Sequence, residues 1–242
     1  WSSVSSGTSR TLNSIWGAAH ADVWFVGDSG AVLRWNGSAL SPVMGAASVN
    51  FSTVRGSATK AVFLCSSQGL FFFDGTFHEF TRQTTKVNCR TLLSLGGTTV
   101  GALVNKPGGS SAGQVHSLTS DGSMLLEAAG EVSSYDDATL VGVTPTDLWV
   151  LRQNAKSVMR LGSGAPQELV LPKDMSARTA WVRGPNDVWL GGHRGMLAHF
   201  GGTEVKLKVA GDYDAPVIRA LWGTTSVTWA AGDDGWLLRL EE

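Results

Sequence analysis

The sequence predicts an all-β fold, a six-bladed β-propeller of four-stranded antiparallel blades, on three observations. First, the pattern W-G-x(4)-D-V-W-x-V-G-x-x-G-x(4)-W-N-G runs from Trp16 to Gly37 and returns, with decay, to the C-terminus. The glycine closing the first strand of each copy falls at Gly17, Gly56, Gly96, Gly142, Gly184 and Gly223, giving intervals of 39, 40, 46, 42 and 39 residues. A period of that length marks a supersecondary unit that cannot bury its own apolar faces and must stack on its neighbours. Second, the strand Val23-Trp24-Phe25-Val26 is apolar at every position, as a strand covered on both faces must be. Third, turn signals recur at fixed offsets, and four-stranded units that repeat radially with both faces buried are propeller blades.

The elements follow in order. Strand A is Leu12–Trp16 in the first copy, and strand B is Asp22–Gly27, with Asp147 and Asp187 opening its later copies. A tight turn comes next, Gly27-Asp28-Ser29-Gly30, Gly192-His193-Arg194-Gly195 or Gly232-Asp233-Asp234-Gly235, whose last glycine supplies the positive φ required there. Strand C is Ala31–Trp35 and ends in Asn36-Gly37, matched later by Asp74-Gly75 and Gly201-Gly202, which are strong hairpin signals. Strand D is Leu40–Val43. The blades span 11–43, 50–81, 90–128, 138–171, 178–208 and 217–242, all in one domain of 242 residues. Trp1-Ser2-Ser3-Val4 matches strand D in register, and the sequence stops just after a strand C. Residues 1–4 are therefore expected to complete the last blade.

Composition bounds the function. Glycine, 30 residues of 242, is well above the usual ~7% and suits many tight turns. Charged residues make up only 16%, and the net charge of -1 gives no basic excess for nucleic acid. No run reaches the ~18 apolar residues of a membrane span. The chain opens directly on Trp1, which reads as a mature or trimmed form.

The repeat resembles those of bacterial secreted or lipoprotein β-propellers of the myxobacterial type and, more distantly, tectonin-type lectin propellers. The first likeness implies a binding or scaffolding role at the cell surface, outside the cytoplasm. The second implies glycan or lipopolysaccharide binding. Neither carries a catalytic motif onto this chain.

Individual residues divide between frame and site. Trp24, Trp149, Trp189 and Trp229 share one strand B slot, filled by Phe63 in the second copy, and a repeated slot in a buried strand is core. The repeated Asp22, Asp147 and Asp187 read as side-chain turn caps. Trp16 and Trp222 precede the strand A glycine, with Arg55 and Arg183 as their equivalents. Together with Trp181 and Arg219 they form a candidate channel mouth, either a ligand site or a plug of stacked cations and rings. Cys65 and Cys89 fall on one face of neighbouring blades, either bonded in an oxidising compartment or left as two thiols. The five histidines show no metal-ligand spacing, and no metal or cofactor is expected.

The remaining signal lies in the B–C turns and D–A connections, on the loops that propellers use for function. Arg82, Lys86, Arg90, Arg152, Lys156, Lys173, Arg178, His193 and Arg194 form the candidate binding set. Asp28, Asp212, Asp214, Asp233 and Asp234 populate the loops of the sixth and first blades. The long stretch Asn105–Gly113 in the third blade is a second candidate binding loop. Loops that differ between blades favour one asymmetric protein partner over a glycan repeated in every blade. The expected function is a non-catalytic binding or scaffold module, monomeric. The alternatives are a glycan-binding lectin and a sialidase- or lyase-type enzyme using Arg55, Arg183 and Arg219 with Tyr135 or Tyr213.

Overall fold

In a computed structural model, the described residues are 3–56, 61–82, 85–95, 99–105, 112–119, 124–125, 131–132, 138–152, 155–162 and 164–241. They form a succession of antiparallel sheets whose strands run A-B-C-D in chain order, the last ending at C. The first is β1 (Leu12–Ala19), β2 (Asp22–Gly27), β3 (Val32–Trp35) and β4 (Leu40–Pro42). The second is β5 (Thr53–Gly56), β6 (Val62–Ser66), β7 (Gly69–Phe73) and β8 (Phe77–Glu79), followed by a two-stranded ribbon, β9 (Thr81–Arg82) and β10 (Thr85–Lys86). The third holds β11 (Cys89–Ser94), β12 (Thr99–Asn105), β13 (Gly113–Thr119) and β14 (Met124–Leu125), with β15 (Glu131–Val132) also on β13. The fourth is β16 (Ala138–Thr144), β17 (Asp147–Arg152), β18 (Ser157–Gly162) and β19 (Gln167–Val170). The fifth is β20 (Ala177–Gly184), β21 (Asp187–Gly192), β22 (Leu197–Phe200) and β23 (Val205–Val209). The sixth has three strands, β24 (Ile218–Gly223), β25 (Val227–Gly232) and β26 (Leu237–Glu241).

The chain divides into two compact units, Trp1–Asp136 and Asp137–Glu242. In each, the core lies between successive sheets. Trp24, Phe51, Leu64 and Phe71 pack the first sheet on the second, and Phe63, Leu70, Leu92 and Val100 pack the second on the third. In the other unit Trp149, Val158, Leu190 and Phe200 join the fourth and fifth sheets, while Trp189, Leu197, Ile218 and Ala230 join the fifth and sixth. The β2 range agrees with the sequence reading to the residue. Among the described residues no helix is long and apolar enough to cross a membrane.

Cys65 on β6 and Cys89 on β11 form a disulfide with their Cα atoms 5.1 Å apart. It ties the second sheet to the third across 24 residues, a loop whose closure in the unfolded chain is worth about 3 kcal/mol.

Two expectations are corrected, the strand A register and the burial of Trp229. The fourth strand awaited in the sixth sheet rests on residues 1–4, of which 1 and 2 lie outside the described residues; Ser3 and Val4 lie in no strand, and Val4 is exposed. The chain that follows runs instead along the first sheet, where Ser6, Thr8 and Arg10 flank a cleft with Leu33, Pro42 and Val43.

The first correction concerns the strand A register. Trp16 pairs with Trp24, Trp181 with Trp189, and Trp222 with Trp229. Trp181, not Arg183, is thus the counterpart of Trp16, because the ladder slips between Val182 and Gly184 and makes Arg183 an inserted residue. The frame explains the W-G pair. A Cβ on Gly56 would stand 2.3 Å from the Trp16 ring, and one on Gly223 would stand 2.8 Å from Trp181, so these two tryptophans lie on the strand A glycine of the next sheet.

The second correction is Trp229. Trp24, Trp149 and Trp189 are almost wholly buried, but Trp229 is 36% exposed. The first three are covered by the sheet that follows, as in the edge contacts Trp24–Phe73 at 5.2 Å and Trp149–Phe200 at 4.9 Å. No later sheet within its unit covers Trp229.

Candidate functional site

The repeated aspartates hold a strand C side chain, arginine or histidine, rather than cap turns. Each strand B tryptophan faces a strand C residue across the ladder: Trp24 faces Arg34, Trp149 faces Arg160, Trp189 faces His199, and Trp229 faces Arg239. Asp22 accepts from Arg34 Nε at 2.7 Å and from Trp24 Nε1 at 3.1 Å, Asp147 accepts from Arg160 Nε at 3.0 Å, and Asp187 bonds His199 Nε2 at 2.8 Å. The cation then lies over the ring, with Arg34 5.2 Å from the Trp24 centroid and Arg160 5.6 Å from that of Trp149. This clamp belongs to the frame. The sixth sheet has lost its acid: Val227 stands two residues before Trp229, where the other three tryptophan-bearing strands carry Asp22, Asp147 and Asp187.

A second repeated device sits at the other end of strand B and reaches the loops. The A–B ladder slips between Leu12 and Ser14, Cys89 and Thr91, Ala177 and Thr179, and Ile218 and Ala220. The inserted residues are Asn13, Arg90, Arg178 and Arg219, each aimed by a bulge. In three of these sheets a one-turn 3-10 segment follows strand B, at Asp28–Gly30, His193–Gly195 and Asp233–Gly235. Its middle residue, Ser29, Arg194 or Asp234, is left-handed. The glycine before it touches strand A: a Cβ on Gly27 would stand 1.8 Å from the Thr11 carbonyl oxygen, and one on Gly192 would stand 2.2 Å from that of Ser176. The backbone is fixed, and chemistry varies at two places, the bulge residue and the first residue of the turn.

In the first sheet Asn13 Nδ2 donates to Asp28 Oδ1 at 2.8 Å. In the sixth, Arg219 grips Asp233 through two bonds, Nε to Oδ1 at 2.7 Å and Nη2 to Oδ2 at 2.9 Å. In the fifth, Arg178 Nε donates at 3.0 Å to Nε2 of His193, which must be the neutral tautomer with its proton on Nδ1 to accept it. Burial, then the charges of Arg178, Arg219 and Arg194, hold the His193 imidazole below the usual histidine range. The hydrogen bond from Arg219 holds the Asp233 carboxyl below the ordinary carboxylate value against a smaller opposing effect of burial, with the charges of Arg219 and Arg178 adding to it. Arg219 is raised in turn, first by that bond. Arg178 therefore acts on both His193 and Asp233, and the two turns form one electrostatic cluster.

The connection from β23 to β24 completes the cluster. Asp212 N donates to the Arg194 carbonyl at 3.2 Å, folding this loop against the turn. The Arg194 guanidinium lies 4.5 Å from the ring centroid of Tyr213, which is 81% exposed. Arg178, His193, Arg194, Tyr213, Arg219 and Asp233 thus meet on one end of the fifth and sixth sheets.

The other candidates fall elsewhere. Arg152 is paired with Glu168 at 3.2 Å, Lys156 and Lys173 are exposed, and Arg90 is an exposed bulge residue in the first unit. Arg82 and Lys86 lie in the β9–β10 ribbon. Four members of the proposed channel-mouth set lie in the second unit and two in the first. Arg219 belongs to the cluster above. Trp181 and Trp222 approach at 6.5 Å, with Arg183 5.4 Å from the Trp181 centroid and bonded to the Thr224 carbonyl at 2.8 Å and to Asp187 at 2.8 Å. Rings and cation thus pack on one another, with Trp222 63% exposed. In the other unit Trp16 covers Gly56, and Arg55 donates to the Val54 carbonyl at 2.7 Å, its basicity lowered by burial. Residues 106–111 of the long third-sheet loop, and Tyr135, lie outside the described residues. Among the described residues no three His, Cys, Asp or Glu side chains gather as metal ligands.

No protein-family model matches the chain. No curated protein matches it. Solved structures do. The chain is similar to YCF48 from Cyanidioschyzon merolae, with a TM-score of 0.65 and 13% identity over 97% of this chain and 83% of that one. It is similar to the WD40 repeats of RRP9, with a TM-score of 0.66 and 10% identity over 97% and 77%. It is also similar to the extracellular domain of the putative hybrid two-component system BT3049 from B. thetaiotaomicron, with a TM-score of 0.65 and 12% identity, covering 97% of this chain but 34% of that one. At these identities the likeness shows the fold, that of WD40-like and β-propeller-like proteins.

Proposed function

We propose that this chain is a non-catalytic binding scaffold that works outside the cytoplasm and engages a protein partner through the B–C turns and D–A connections of its fifth and sixth sheets. The observation that carries this reading is the cluster of Arg178, Arg194, Arg219 and Tyr213 on a backbone held rigid by repeated turns. Arginine and tyrosine are the residues that concentrate binding energy at protein interfaces, and a rigid frame lowers the entropy lost on docking. The Cys65–Cys89 bond supports an oxidising compartment, as does the likeness in fold to a domain described as extracellular.

The test is a displayed peptide library selected against the folded protein, beside a glycan array. Selected peptides should lose binding when Arg194 and Tyr213 are both changed to Ala. Glycan binding without any peptide, abolished by Trp222→Ala, would replace this reading with a lectin.

A further inference from the structure

We propose that the fifth-sheet turn receives the carboxylate of an aspartate or glutamate side chain from the partner, an inference that deepens the protein-binding reading and rests on it. The repeat itself names the ligand. In the first and sixth sheets the residue opening the turn is an aspartate, and its carboxylate accepts from the bulge residue, Asn13 or Arg219. In the fifth sheet the backbone is the same, down to the left-handed residue at Arg194 and the close approach of Gly192 to Ser176. The carboxylate is replaced by the neutral imidazole of His193. That position carries no negative charge, while Arg178, Arg194 and Arg219 surround it and Asp233 is engaged twice by Arg219.

Arg194 is the receiving group. Its side chain is exposed, and stacking of its face on Tyr213 presents the N–H edge in the plane of the guanidinium. An acidic side chain approaching that edge meets a preoriented fork in a site whose local field favours it. A side chain is assigned rather than a chain terminus because the carboxylate that both sister turns carry, and that His193 replaces here, is that of an aspartate side chain.

The experiment uses the whole protein and three acetylated probes: an amidated peptide alternating Glu and Gly, its Gln counterpart, and the Gln peptide with a free C-terminal carboxylate. The His193 imidazole is followed by NMR across pH. The Glu peptide should raise the His193 titration midpoint, since an added negative charge opposes the arginines. It should also bind about tenfold tighter than the Gln peptide, the worth of one charge-assisted hydrogen bond. His193→Asp supplies the missing carboxylate internally and should abolish Glu-peptide binding while leaving the protein folded. Arg194→Ala, an exposed change, should abolish it as well. Equal binding of Glu and Gln peptides, an unmoved His193 midpoint, or full binding by His193→Asp overturns the proposal. Preference for the free C-terminus overturns the assignment to a side chain. Library-selected peptides that bind irrespective of His193→Asp would leave the protein-binding reading standing and remove this one. A library without binders would remove the former, while the His193 midpoint still decides the latter.

Discussion

The fifth and sixth sheets are built on one plan and have each lost a different half of it. The fifth keeps the strand clamp, with Asp187, His199 and a Trp189 that is 1% exposed, but its turn opens on a histidine in place of an acid. The sixth keeps the turn pair, Arg219 on Asp233, but Val227 replaces the clamp acid and Trp229 is 36% exposed. The two devices lie at opposite ends of strand B and do different things. The clamp fixes an aromatic ring in a core between sheets, so its loss costs stability. The turn pair neutralises charge at the surface, so its loss leaves a charged place for something else to fill.

The largest effect that separates the sheets is truncation of the paired tryptophans. Trp189→Ala should destabilise by ~3–5 kcal/mol, the range for large aromatics in cores. Trp229→Ala should cost no more than about half of that, since less area leaves water when it folds. Urea unfolding of both variants measures the difference. Equal costs would mean that Trp229 is covered in solution by something that shields it as fully as its counterparts.

The frame was legible in the sequence because it is periodic. The Trp24, Trp149 and Trp189 slot, the Gly30, Gly195 and Gly235 turns and the Cys65–Cys89 juxtaposition all follow from aligning copies. The clamp is legible too, but the repeated acid alone suggests a turn cap; its partners are found by noting that Arg34, Arg160 and His199 stand at one strand C position opposite the tryptophans. What could not be read was anything that depends on a bulge. An inserted residue leaves no periodic trace, so Arg183 was placed in the wrong frame and Arg178 and Arg219 were not recognised as counterparts. The members of the cluster were each noticed, but in separate groups: Arg178, His193 and Arg194 as basic loop residues, Arg219 in a channel, Asp233 in an acidic arc, Tyr213 beside a catalytic alternative. Only the register of β20 and β24 brings them together.

Exchanging the clamp acids sharpens the contrast at smaller scale. Asp187→Val removes the partner of His199 and of Arg183 and should cost about 1 kcal/mol, because the carboxylate is partly solvated. Val227→Asp places an acid two residues before Trp229, near Arg239, whose guanidinium is 5.7 Å from that ring. It should raise the melting temperature slightly. A loss in the second variant would show that the sixth sheet is arranged around its valine and is no incomplete copy of the fifth.

The smallest effect is in pH dependence, and it distinguishes the turns by sign and window. The folded pKa of His193 lies below its unfolded value of about 6.5. In the interval between the two, the unfolded chain binds more protons, so stability rises with pH and falls as the solution is acidified below about 6.5. Protonation also removes the lone pair that accepts from Arg178. Asp233 behaves as a depressed carboxylate. Its contribution is present above the unfolded value near 3.8 and is lost only as pH falls through its lower folded value. Acidification from pH 8 to 5 therefore loads the fifth turn and leaves the sixth unchanged. The measurement is the difference in melting temperature between the natural protein and His193→Asn, whose amide oxygen still accepts from Arg178. That difference should move against the natural protein as pH falls from 7 to 5. In Asp233→Asn the natural protein should lose its advantage only below about pH 4. Parallel melting curves for the natural protein and His193→Asn would mean that His193 is not pressed by the three arginines, and the fifth turn would no longer differ in charge from its sisters.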